Sequence, residues 1–172
     1  VEESGLEPEG DDGGQIWIRG DNLFSGYWPD GADGPEAEGW FPTGDVGYLD
    51  DQGELHLVDR VKELVIVSGF NVYPSEVEDV IGELPSVKEV AVIGASDDTT
   101  GEAVVAYVTP AVDTDPDTLA DEVRARCAQR LARFKQPSHI HVVDELPLTV
   151  TGKVQKGRLR ATERRRALGL LE

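Results

Sequence analysis

"DRVKELVIVSGFNVYPSEVEDVIGELP", Asp59 to Pro85, is where the chain changes its rhythm. The apolar run from Glu63 to Gly69 reads as a strand, because it is short, rich in β-branched residues and closed by a glycine. After Pro74 the apolar residues Val77, Val80, Ile81 and Leu84 recur at helical spacing. Ser75 is a candidate N-cap there, Glu78 completes a capping box, and Pro85 stops the helix. Just before the strand, Arg60 and Lys62 stand two apart where the composition passes from one apparent unit to the next. On a strand they share a face; at a linker they act as a switch; the plainer reading is a charged edge strand followed by a glycine turn.

Upstream, the acidic, glycine-rich segment Val1 to Gly14 reads as a loop or frayed end, and "GQIWIRG" as a strand with Ile16 and Ile18 on one face. "SGYWPDGADGPEAEGWF" is crowded with Gly, Pro and Asp and reads as a long surface loop. "DVGYLD" and "GELHLVDR" form a hairpin about Asp50-Asp51-Gln52-Gly53, and the strand from Glu63 is expected to close a small sheet with it. Downstream, "SVKEVAVIGA" and "EAVVAYVTP" are two strands joined by the polar "SDDTTG". From Thr118 to Phe134, Leu119, Val123, Cys127, Leu131 and Phe134 fall on one helical face. "SHIHVVDELP" is a last strand, and a turn at Lys153 leads into a short basic helix. From Glu54 the order is strand, strand, helix, strand, strand, helix, strand, which predicts a small α+β layer structure.

The 172 residues suffice for one domain, or a small domain with part of another, and 39% hydrophobic residues allow a packed core. A formal net charge of -18 argues against a chain that binds nucleic acid as a whole, since phosphates would be repelled. Cys127 is the single cysteine, so no internal disulfide forms, which fits a reducing, cytoplasmic setting. No apolar run is long enough to span a bilayer and no signal peptide is visible. The chain opens in mid-phrase and reads as a piece of a longer protein.

Lys153 follows Gly152 and precedes a run of cations: Lys156, Arg158, Arg160, Arg164, Arg165 and Arg166. A phosphate-binding loop of the Walker type would need glycine at Pro147 and Ser or Thr at Val154, so that reading fails. Taken alone, the cations read as a solvated helix face. Asp45, after a Thr-Gly turn, offers two acceptor oxygens that suit a pair of ribose hydroxyls, or that satisfy local backbone donors at a hairpin entry. His139 and His141 share a strand face and read as solvated; no metal site is expected from them. Cys127 reads as a buried small hydrophobe.

Jointly, and in this order, "GYW" (Gly26–Trp28), "GWFPTGDVGYLDDQGELHLVDRVKELVIVSGFNVYPSEVEDVI" (Gly39–Ile81), "FKQPSHIHVVDELPLTVTGK" (Phe134–Lys153) and the basic ending resemble the adenylate-forming family of acyl-CoA synthetases, peptide-synthetase adenylation domains and luciferases. The central phrase looks most like the fatty acyl-CoA synthetase branch. The resemblance implies that ATP and a medium- or long-chain fatty acid give an acyl-adenylate and pyrophosphate, and that the thiol of CoA then displaces AMP. It implies residues 1–59 as the end of a large AMP-binding domain, and 60–172 as a mobile C-terminal domain of about five strands with two or three helices. On the matching positions, Asp45 holds the ribose hydroxyls and Arg60 the ribose or phosphate side of the nucleotide. Lys153 reaches the carboxylate and α-phosphate, and Lys62 is the hinge. Ser68, Gly69 and Phe70 line the pantetheine path, Gly69 leaving room for the thiol arm. The family's phosphate loop, most of its acyl pocket and its Mg²⁺ ligands lie outside this chain, which is therefore expected to be inert alone. A fatty acyl-AMP ligase, a carrier-protein-loading enzyme, and a non-enzymatic module docking on an anionic surface are the other readings. Peripheral membrane contact is compatible with the enzyme readings; the net charge weighs against the non-enzymatic module.

Overall fold

The computed structural model describes residues 13–171 and falls into two units, 1–62 and 63–172. Of the segment Val1 to Gly14, expected as a loop or frayed end, residues 1–12 lie outside the described residues, and Gly14 opens a strand.

The first unit carries an antiparallel sheet of three strands, β1 (Gly14–Ile18), β2 (Phe41–Leu49) and β3 (Leu55–Arg60), in the order β1-β2-β3. The β2–β3 turn forms as its residues dictate: Asp50 Oδ1 accepts from the backbone N–H of Gln52 at 2.9 Å and of Glu54 at 2.8 Å, and Gly53 takes φ +80°. Gly47 sits where the strands crowd; a Cβ there would lie 2.4 Å from the His56 carbonyl oxygen. The expectation that the strand after Glu63 closes this sheet is corrected. The third strand is β1, joined to β2 by pairs such as Trp17 with Pro42.

That later run instead opens the second unit. It forms a very short strand, β4 (Val65–Val67), paired with β5 (Phe70–Val72), a strand not expected from the sequence. There follow α1 (Pro74–Gly82), the long hairpin β6 (Val87–Asp97) and β7 (Gly101–Pro110), α2 (Pro116–Arg130), β8 (His139–Val142) and α3 (Lys156–Ala167). The sheet runs β5-β4-β7-β6, and β8 adds in parallel to β7. β4 meets β7 only at Val67 and Gly101, which leaves Val105 to Val108 to pair with His139 to Val142.

β7 explains the layering. Its run Ala103 to Thr109 is buried throughout, because helices cover both faces. Val104, Ala106 and Val108 face a core shared with Val77, Ile81, Leu119 and Val123 of α1 and α2. Val105 and Tyr107 face the opposite way, against Leu159 of α3 and Leu146. The fold is α+β. Cys127 is buried in the first of these cores and burial pushes its thiol pKa up.

Two helix ends differ from expectation. α1 is capped by Tyr73 without a side-chain bond: Pro74, with its pre-set φ and no N–H to satisfy, starts the helix itself. Glu78 is then free of capping duty, and its Oε1 accepts the Val92 N–H at 2.7 Å. α2 begins at Pro116, where Asp115 caps it by accepting the Asp117 N–H at 3.0 Å, and ends at Arg130. Leu131 and Phe134 pack on the core from beyond the helix, Phe134 within a 3-10 turn. Among the described residues no helix is long and apolar enough to cross a membrane.

Candidate functional site

In the first unit the hairpin register sets Asp45 of β2 directly opposite Arg60 of β3, and Arg60 Nε lies 3.2 Å from Asp45 Oδ1. The Thr43 hydroxyl shapes this corner: it donates to the Ile16 carbonyl at 2.9 Å and accepts the Asp45 N–H at 3.1 Å. Gly44 takes φ +77° between them, and the space beside it is open. The pair thus presents a carboxylate and a guanidinium side by side, an acceptor for hydroxyls next to a donor for phosphate oxygens. Lys62, exposed, lies on a 3-10 turn at Val61–Glu63, where the two units divide. The cluster of Asp50, Glu54 and His56 at the β2–β3 turn does not fit a divalent cation. Both oxygens of Asp50 are committed, one to two backbone N–H groups and the other to His56 Nε2 at 2.8 Å.

In the second unit, Ser68 and Gly69 form the two-residue turn between β4 and β5, with φ +52° and +86°, the mirror-type turn that matches strand twist. The turn is tied down: Ser68 N–H donates to the Thr100 carbonyl at 2.8 Å, and Thr100 N–H and hydroxyl both bond Asp97 Oδ1. Those bonds, the Thr100 N–H first, hold the Asp97 carboxyl below its usual range. Phe70 stacks on Phe134 with ring centroids 4.8 Å apart. A Cβ at Gly69 would meet nothing within 4 Å, so within this chain its positive φ, rather than close packing, calls for glycine.

Lys153 stands on a different turn, closed by its own backbone. Thr149 N–H donates to the Lys153 carbonyl at 2.8 Å and Gly152 N–H to the Thr149 carbonyl at 3.0 Å. Lys153 N–H donates to the Thr149 hydroxyl at 3.0 Å, and Gly152 takes φ +81°. Lys153 itself is exposed, and among the described residues no carboxylate lies within ion-pair reach of it. The geometry holds out one cation on a short, internally bonded stalk.

The basic helix beyond it is only in part the solvated face that its composition implied: Arg158, Arg164 and Arg165 are exposed, while Lys156, Arg160 and Arg166 are half-buried in ion pairs. Lys156 Nζ lies 2.8 Å from Glu78 Oε1 and 3.3 Å from Glu63 Oε2, and Arg160 NH2 lies 3.3 Å from the same Glu63 oxygen. Further along, Glu163 Oε1 takes the Tyr107 hydroxyl and Arg166 NH1, the latter at 2.6 Å; Arg166 NH1 also reaches Tyr107 Oη at 2.9 Å and His141 Nε2 at 3.1 Å. His141 is thereby corrected as well: only His139 of the pair is exposed, because the parallel register sets His141 beside Tyr107, under α3. Burial first, then the charge of Arg166, pushes the His141 pKa down. Burial works to raise the Glu163 carboxyl, but the bonds from Tyr107 and Arg166 outweigh it and hold it below the ordinary range. Sequence reading took Arg166 and His141 as solvated and missed Tyr107 and Glu163. The Glu163–Arg166 spacing on one helix was the only local signal. A cavity of about 780 Å³ opens beside this cluster, lined among others by Ser96, Asp97, His139, Arg160 and Arg164.

Residues 76–153 match the family described as AMP-binding enzyme C-terminal domain. The chain is 46% identical, over 91% of its length, to a 3-[(3aS,4S,7aS)-7a-methyl-1,5-dioxo-octahydro-1H-inden-4-yl]propanoyl:CoA ligase of Rhodococcus jostii (strain RHA1), of which it covers 30%. It is 40% identical, over 87%, to a long-chain-fatty-acid–CoA ligase of Yersinia pestis, of which it covers 26%. It superposes on the ATP-bound crystal structure of MatB from Rhodopseudomonas palustris with a TM-score of 0.78 at 40% identity, covering 91% of this chain and 31% of that one. The chain thus spans about a third or less of the length of the relatives it matches.

Proposed function

Residues 76–153 belong to the AMP-binding enzyme C-terminal domain family, and from that premise we propose that this chain is the carboxyl part of an ATP-dependent acid–thiol ligase. A carboxylate oxygen attacks the α-phosphorus of ATP and pyrophosphate leaves. The sulfur of CoA then attacks the acyl carbon, and the bond to AMP breaks. The observation that carries this reading is Lys153: the matched segment ends on it, and it is held out on a turn bonded to itself, with no acidic partner among the described residues.

In the proposed roles, Lys153 supplies a positive charge between two anions in the first step, where negative charge gathers, and moves no proton. Asp45 accepts the ribose hydroxyls while Arg60, already beside it, faces the phosphate side. Rotation at Lys62 then withdraws Lys153 and brings the Ser68–Phe70 turn to the reacting carbon. The ligands for magnesium are expected outside this chain.

The acid is proposed to be a medium- or long-chain fatty acid. The Yersinia relative supports this; the Rhodococcus relative, named for a bicyclic propanoyl group, marks the competing class of bulky ring acids. The full-length enzyme, given ATP, CoA and a panel of fatty and ring-bearing acids, is expected to release AMP and form acyl-CoA fastest with fatty acids of eight carbons or more. Faster turnover of the ring acids would overturn the acid assignment, and formation of no acyl-CoA with any acid would overturn the ligase reading. Residues 1–172 alone are expected to form none.

A further inference from the structure

The first turn of α3 begins three residues after Lys153, and little of the usual helix machinery holds it. Its N-cap, Gln155, makes no side-chain capping bond, and Leu159 is the helix's one buried residue among those described. What fixes it is charge. Lys156 reaches both Glu63 and Glu78, and Arg160, one turn on, reaches the same oxygen of Glu63. These side chains are only 19% to 27% exposed, so they are not the solvated pairs that contribute little. Glu78 is itself anchored to the sheet through the Val92 N–H.

Glu63 is the first residue of the second unit, directly after Lys62. One carboxylate that engages two cations a turn apart on one helix fixes both the rotation of that helix and the position of its first turn. The other functional turn needs no such link. Ser68–Phe70 is bound by the β4–β5 pairing, by Ser68 to Thr100 at 2.8 Å and by Ile66 N–H to Glu102 Oε2 at 2.7 Å.

We infer that Glu63, gripped by Lys156 and Arg160, is a positioning residue for the adenylate-forming step: it carries the orientation of the chain entering at Lys62 to the turn bearing Lys153, and leaves the Ser68–Phe70 turn untouched. This rests on the role proposed above for Lys153. It assigns to the two half-reactions different mechanical dependences within one unit.

The test uses the full-length enzyme and measures two rates: acyl-adenylate formation from ATP and acid, and thioester formation from supplied acyl-adenylate and CoA. Glu63→Gln and Lys156→Met each lower the first rate about tenfold at unchanged KM for ATP and acid, since a small misplacement of a reacting group is enough for that. They leave the second rate as in the wild type. Lys156→Arg, which keeps the charge, restores the first. Leu119→Val, in the α2 core, lowers the melting temperature without changing the ratio of the two rates. Equal loss in both half-reactions, loss in neither, the same deficit in Lys156→Arg as in Lys156→Met, or the same split in Leu119→Val would each overturn the inference. Lys153→Ala runs alongside. If it keeps adenylate formation, the functional reading itself fails; if it loses it while Glu63→Gln does not, this inference alone fails.

Discussion

The two ends of α3 are both held by clusters of charge, yet they hold it to different things. At the start, Lys156 and Arg160 meet Glu63 and Glu78, so the helix is tied to the segment through which the chain enters the unit. At the far end, Glu163 and Arg166 meet Tyr107 and His141, so the helix is tied to the middle of the sheet. The first cluster sits beside the turn that carries Lys153; the second sits at the end of the helix away from that turn. The contrast teaches that similar ion pairs serve different ends according to what lies at each end of the lever. A break at the start should show in one chemical step, and a break at the far end should show in stability.

The largest effect expected is at the tip of that lever. In the full-length enzyme Lys153→Ala should cut acyl-adenylate formation by roughly 10²- to 10³-fold, the scale for removing one group aimed at developing charge. Thioester formation from supplied acyl-adenylate should be kept. Equal losses in the two rates would remove the distinction between the two turns. At the other end, Glu163→Leu takes the shared acceptor from Tyr107 and Arg166 and leaves the hydroxyl of the buried Tyr107 without its acceptor, a cost of about 2 kcal/mol. Amide exchange across α3, followed by mass spectrometry in the full-length protein, should quicken while the ratio of the two rates stays put. A shifted ratio with unchanged exchange would show that the two ends are not divided in this way.

The turns themselves offer a smaller, mirrored pair. Gly152 and Gly69 both take positive φ, and an added Cβ at either would meet nothing within 4 Å, so substitution costs only backbone strain, about 1–2 kcal/mol. Gly152→Val should slow adenylate formation severalfold, and Gly69→Val should slow thioester formation. Both variants slowing the same step would collapse the assignment of one turn to each step.

The fold was legible wherever local pattern decides it. The alternation and turn residues about Asp50–Gly53 give the first hairpin, and its register alone sets Asp45 against Arg60. The helical spacing of Val77, Val80 and Ile81 gives α1. Legibility stopped where partners are distant. An apolar run such as Val65–Val67 does not state which sheet it joins, and it joined β7 and β5 rather than the hairpin before it. Ser75 and Glu78 have the spacing of a capping box, but Pro74 starts the helix unaided, and Glu78 is drawn to Val92 and Lys156. The period of two along β8 places His139 and His141 on one face, yet only the path of α3 decides that one is covered and the other is not. The candidate residues were legible only through the order of their motifs, since single residues such as Asp45 or Lys153 have ordinary local explanations. The charges that orient Lys153 were not, because Glu63 and Lys156 meet only after the whole unit has folded between them.

The smallest effect follows from His141 and has a definite sign. Its neighbours are Arg166, Glu163, Tyr107 and His139, and burial with the Arg166 charge sets its folded pKa below the ordinary 6.5. The folded chain therefore takes up this proton later than the unfolded one, and stability falls as pH drops below about 6.5, until the folded value is passed. Glu163 acts in a separate window. Its folded pKa is held below 4.5, so its contribution is present above 4.5 and is lost as pH falls through the lowered value. His141→Gln removes the upper window and keeps the lower. The melting temperature of the full-length wild type, less that of His141→Gln, should hold near pH 7.5 and shrink as the pH falls from about 6.5 toward 5. A difference that stays constant over that range would mean that protonating His141 does not loosen the far end of α3, and that the neutral ring accepting from Arg166 is not what the folded state requires.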